Sequence, residues 1–213
     1  MADNSVLSEA GQAEQQFRRM AGMIRCVLPG VIVAFDPAKQ RCQVQPGIRL
    51  KSVLGVEVNY VDPPIIDNVP IVIPYGFGGK MLLTHPISAG DPCSLIISDR
   101  AVDFFLQTGQ LANPCSPLNH DVTTVRSHHL SDALCLPGLI CDPQVVPAWN
   151  NEAIELRNFD RTQFISLGTD GINIQAAGVV NLTAPNVVIN NRNFMAHTHE
   201  NVQPGTGASG GVA

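Results

Sequence analysis

Aromatic residues are scarce in this 213-residue chain: Phe, Tyr and Trp make up 5%, with one Trp and two Tyr. Sugar-cleaving sites lean on aromatic platforms beside paired carboxylates, so Glu152 and Glu155 alone are a thin basis for glycosidase chemistry. Basic clusters are also missing. Thirteen Lys and Arg stand against 18 Asp and Glu, the net charge is -5, and no basic run exceeds Arg18-Arg19. A nucleic-acid binder needs a cationic face to displace counterions, which excludes that role. No apolar run reaches the roughly 20 residues of a membrane helix. Glu9, Glu14, Arg18 and Arg19 break up the start of the chain where a signal peptide would need its apolar core, so synthesis and assembly in a cytoplasm are expected. The six cysteines (26, 42, 93, 115, 135, 141) contain no CxxC pair, which removes a zinc ribbon or redox dithiol and leaves small buried apolar residues as the expectation. The segment Gly76-Phe77-Gly78-Gly79-Lys80 is followed by Met81, not the Ser or Thr of a phosphate loop. No GxSxG occurs, and no nucleophile, base and orienting acid emerge from spacing, so the chain is not expected to be an enzyme.

Glycine (18) and proline (16) are plentiful, which suits short strands joined by turns. A stripe of Leu7, Ala10, Ala13, Phe17, Met20, Ile24 and Val27 at three- and four-residue steps predicts an amphipathic helix or arm over 1–28, ended by Pro29-Gly30. From there the period becomes two. Residues 31–35 and 41–45, joined by the turn Asp36-Pro37-Ala38-Lys39, predict a hairpin. Further strands are expected at 54–60, 69–74, 80–84 and 93–98, and a small closed barrel over 29–106, of which an OB-fold is one solution. Residues 107–150, punctuated by Pro114, Pro117, Pro137, Pro143 and Pro147, predict an irregular connection.

The last sixty residues hold an internal repeat. Apolar pairs Ile154/Leu156, Ile165/Leu167, Ile172/Ile174, Val180/Leu182 and Val187/Ile189 alternate with polar residues, and the last four pairs begin seven or eight residues apart. Strands this short cannot enclose a core alone. Three copies about an axis would bury the apolar faces as a narrow prism over 151–194; a sandwich within one chain is the alternative. His197-Thr198-His199 follows. In an extended strand residues i and i+2 share a side, so each chain would offer two imidazoles and three chains six. Six imidazoles suit Fe(II), Co(II) or Ni(II) better than four-coordinate zinc. The small, uncharged residues after Asn201 fit a slender tip over 195–213. His128-His129, adjacent in sequence, are expected to point to opposite strand faces.

Three stretches carry a resemblance. They are Pro86-Ile87-Ser88-Ala89-Gly90-Asp91 with Leu95-Ile96-Ile97-Ser98-Asp99-Arg100; Arg126-Ser127-His128-His129-Leu130-Ser131-Asp132-Ala133 with Leu136-Pro137-Gly138-Leu139; and His197-Thr198-His199 with its Gly/Ser-rich end. Together they resemble the central, membrane-piercing baseplate spike proteins of contractile-tailed bacteriophages. The resemblance implies a mainly β protein: an N-terminal OB-fold that docks on the baseplate hub, then a trimeric, triple-stranded β-helix needle. It implies one iron ion per trimer at the apex, held by His197 and His199 of three subunits, and a place at the virion's tail tip beside the tail tube. The host outer membrane would be met transiently, when the sheath contracts. The rivals are a puncturing tip of a related secretion or tail-like machine and a host-glycan-binding spike.

Overall fold

A computed structural model of the chain describes residues 9–21, 24–54, 57–76, 78, 80–111, 126–194 and 205. These fall into two compact units that divide after Val145. The first unit opens with helix α1 (Glu9–Ala21). Its exposed surface carries an i,i+4 pair in which Arg18 donates to Glu14 at 2.7 Å, and Phe17 is 70% exposed.

The strands of this unit are β1 (Val27–Asp36), β2 (Arg41–Pro46), β3 (Leu50–Leu54), β4 (Glu57–Val61), β5 (Ile66–Pro70), β6 (Tyr75–Gly76), β7 (Met81–Leu82) and β8 (Pro92–Ile97). A short helix α2 (Asp103–Thr108) and strand β9 (Ala133–Pro137) complete it. Five strands make an antiparallel sheet in the order β5-β2-β1-β8-β9. The sheet curls until its two outer strands meet. Ile71, just past β5, forms a parallel bridge with Cys135 of β9, and the Val72 N–H donates to the Cys135 carbonyl at 2.8 Å. Register shifts in β1 between Ile32 and Ala34, and in β2 between Cys42 and Val44, supply bulges that sharpen the twist needed for that curl.

Alternation places one side chain in two inside. Ile32, Cys42, Val44, Val69, Cys93, Leu95 and Cys135 are buried together. Gly30 lies where β1 and β2 approach most closely; a Cβ there would meet Val44 Cγ1 at 2.7 Å. Cys42, Cys93 and Cys135 are buried as expected, Cys26 is exposed and Cys141 half-buried against that expectation, all as free thiols, and Cys115 lies outside the described residues. Contact with Cys93, together with burial, pushes the Cys135 thiol far up, so it stays protonated and behaves as an apolar group.

Four expectations need correction. The helix ends at Ala21, not at Pro29-Gly30, which lie within β1. Val27–Val31 pair with β8, and this sheet partner overrides the helical spacing. The single strand expected at 54–60 is a hairpin in which β3 pairs β4, Leu50 opposite Val61. Residues 107–150 hold β9, the strand that completes the curled sheet; its five residues between irregular stretches were too short a signal to separate. His128 and His129 lie in no strand. His128 has a positive φ of 50°, and His129 caps a 3₁₀ turn over Leu130–Asp132.

The second unit holds strands β10 (Ala153–Arg157), β11 (Phe164–Gly168) and β12 (Gly171–Gln175) in one antiparallel meander, then β13 (Val188–Ile189) paired with β14 (Arg192–Asn193). Asn190 and Asn191 join the last two, both at positive φ, as a two-residue hairpin with the strand twist requires. In this single chain the second unit is a meander and a small hairpin.

Candidate functional site

The site grows from the pleat of β10–β12. Ile154, Leu156, Ile165, Leu167, Ile172 and Ile174 alternate with Glu155, Ser166 and Asn173, so each set takes one face. The register aligns the apolar set in two rows, Ile154–Leu167–Ile172 and Leu156–Ile165–Ile174. Gly171, at φ 143°, turns the chain from β11 to β12 behind Thr169 and Asp170.

The two faces are used in reverse of the usual order. On the polar face the chain covers β10 and β11 with its own groups, while Asn173 of β12 is exposed. Glu155 has a side chain only 5% exposed; it accepts from Arg161 Nη2 at 2.8 Å and from Asn150 Nδ2 at 3.0 Å. Arg161 holds the Glu155 carboxyl below its usual range, with Asn150 assisting. Glu155 is thus held as a structural anion, paired with Arg161 and bonded by Asn150. Arg157 straps down the incoming chain, donating to the carbonyls of Pro147 and Ala148 at 2.7 Å and of Phe159 at 2.8 Å. The apolar face is left open. Ile154 is 75% exposed, Ile172 68%, and all six side chains stand in the exposed class. A three-stranded sheet with an open hydrophobic face is at the margin of independent stability, and six large apolar side chains in two rows mark a surface made to be covered.

The apolar exposure continues beyond the meander. Of the later members of the sequence repeat, Val180, Leu182 and Ile189 are exposed as well, and Val187 is half-buried.

A second constellation fastens the first unit around the stretch 126–132. Asp132 is fully buried and accepts from Arg126 Nε at 2.9 Å, from Arg126 Nη2 at 2.8 Å and from the Val102 N–H at 3.1 Å. Arg126 also bonds Asp103 at the start of α2. Burial alone would raise the Asp132 carboxyl, but Arg126 and the Val102 N–H outweigh it and hold it low. The His128 ring nitrogens lie 3.0 Å from the Arg25 carbonyl and 3.2 Å from Asp99. This is a structural latch joining β8, α2 and β9.

His197 and His199 lie outside the described residues, as does the stretch 195–213 apart from Gly205. Among the described residues, no group of three or more His, Cys, Asp or Glu is arranged to hold a metal, and no helix is long and apolar enough to cross a membrane. The reversed sheet could be sensed in sequence only as the alternation of the repeat. The Glu155–Arg161 pair, bridging the bend between β10 and β11, gave no local signal.

The family model described as the phage protein Gp138 N-terminal domain matches residues 28–138, just over half of the chain and all five strands of the curled sheet. No curated protein matches the chain.

Proposed function

This chain belongs to the phage protein Gp138 N-terminal domain family, and from that premise we propose that it is the trimeric central spike of a contractile phage tail. In this reading it is a structural tail protein of the virion, not an enzyme. The first unit docks on the baseplate hub, and the second is driven through the host outer membrane when the sheath contracts.

The observation that carries the reading is the open apolar face of β10–β12. Six side chains buried at about 1.5–3 kcal/mol each represent a large gross stabilisation that one chain forgoes. Three copies around an axis bury it without adding any residue, and the polar face, already covered over β10 and β11 by Glu155, Arg157 and Arg161, is left outward. In the proposed trimer each chain's meander would stand as one wall of the narrow needle, with its strand pairing kept. The first unit is read as an OB-fold. Support comes from its strand order and from the parallel junction between the end of β5 and β9, which gives a five-stranded barrel in which only that junction is parallel.

His197 and His199 complete the proposal as the ligands of one iron ion per trimer. The donor set fits: two imidazoles one residue apart in each chain become six in a trimer, a number suited to Fe(II). A bound iron there would supply a cross-link among three chain ends, and the small residues that follow leave the point narrow.

Sedimentation equilibrium of the full chain tests the core of this reading. Three times the chain mass is expected at micromolar concentration; a monomer at that concentration would refute it.

A further inference from the structure

The polar face of β10–β12 also carries a cleft of about 570 Å³, within the range of small-ligand sites. Its floor is Ser166, 5% exposed, opposite Asn173 in the register. Phe164 and Gln175 face each other at one end, and Asp170 stands in the turn at the other. Five strand residues separate these ends, about 13 Å at the rise of an extended chain.

The chemistry of the lining narrows the ligand. Asp170 and Asn173 have no side-chain partner among the described residues, so a carboxylate and an amide remain free to bond. Together with Glu152 they offer several acceptors and a donor pair in a small space. Such a lining suits a molecule with many hydroxyls, each both donor and acceptor. An anionic ligand is disfavoured, because the cation in the cleft, Arg161, is bonded to Glu155 by three contacts, while Glu152 and Asp170 repel negative charge. An apolar ligand would strand the polar floor. One aromatic ring lines the cleft: Phe164 carries the Arg161 guanidinium over its face, 5.0 Å from the centroid, which leaves the ring edge as an apolar contact for a sugar ring. The scarcity of aromatics in the chain as a whole therefore does not bar such a site.

We propose that this groove binds an uncharged oligosaccharide. It is built from one chain, on the face opposite the apolar rows, and so does not depend on three-fold assembly. Assembly with the apolar rows inward would leave it open along the outside of the needle.

The test is an array of neutral, amino-bearing and anionic glycans probed with the full-chain protein, followed by titration of the best neutral glycan. Retention of neutral glycans is expected, with affinity reduced at least tenfold in the double variant Asp170→Ala, Asn173→Ala. Gln175→Ala, at the other end of the groove, serves if the double variant loses its circular-dichroism signature, and should also weaken binding. Failure to retain any neutral glycan, retention of anionic glycans alone, or unchanged affinity in the folded variants would each overturn the proposal. Sedimentation of the same samples keeps the two readings apart. A monomer that binds glycan removes the spike and leaves the groove, and a trimer that binds none does the reverse.

Discussion

Asp132 shows how a single residue can hold the first unit together. Its carboxylate is fully buried and satisfied by two Arg126 nitrogens and one backbone N–H. A buried charge is tolerable only with its partner, so Arg126→Ala should destabilise the curled sheet by about 3 kcal/mol, the lower end of the range for breaking a buried pair because Arg126 itself is partly exposed. Urea denaturation followed by far-ultraviolet circular dichroism reads this directly, and a loss under 1 kcal/mol would show the latch to be ornamental. The pH dependence follows from the direction of the shift. Since Arg126 holds the Asp132 carboxyl below its unfolded value near 3.9, its stabilisation is complete above roughly that pH and fades as pH falls through the folded value. Asp132→Asn should therefore be less stable than the parent at neutral pH, with the gap closing in acid. A gap constant from pH 7 to 2 would contradict the assignment. In sequence, Arg126 and Asp132 were visible only inside a stretch with a family resemblance; their pairing needed the 3₁₀ turn that brings them face to face.

At the scale of elements, the hairpin β1–β2 and strand β8 were legible because each alternates over at least five residues and ends at turn chemistry such as Asp36, whose carboxylate accepts from the Ala38 N–H at 2.9 Å. Strand β9 was not, because five residues ending in Pro137 carry too little periodicity to stand out from a proline-rich stretch. Helix α1 was overextended for the opposite reason: a helical spacing continued by chance into residues that a neighbouring strand claims. The first three pairs of the sequence repeat translated into β10, β11 and β12 with their six apolar members on one face, whereas Val180 and Leu182 lie in no strand. That face gives the element-scale prediction. Leu167 sits at the centre of one row, between Ile154 and Ile172. Leu167→Asp adds a charge where three copies would converge but disturbs nothing inside a single chain, since the side chain is already 54% exposed. The substituted protein should keep the circular dichroism of the first unit yet sediment as a monomer at concentrations where the parent is expected to be a trimer. Unchanged assembly would place the contact surface elsewhere.

For the proposed trimer the question is what would keep a thin point from splaying under axial load. Chain ends fray unless tied, and fraying grows as fewer backbone hydrogen bonds hold each residue. The polar-face contacts of β10–β12 tie only the start of the second unit: Arg157 to residues 147 and 148, Glu155 to Arg161. His197 and His199 follow β14 in the sequence, so the proposed iron would be a further tie along the axis. Because a ligand that binds only the assembled form stabilises it by mass action, metal and trimer should be linked. Elemental analysis is expected to find one iron per three chains in the parent and none in the double variant His197→Ala, His199→Ala. That variant should still sediment as a trimer, since the apolar rows remain, but proteolysis should trim it from the His end faster than the parent, and phage carrying it should infect less well. Iron-free parent protein would remove the metal while leaving the needle standing. A double variant that falls to monomers would mean that the metal, and not the apolar face of β10–β12, is what assembles the spike.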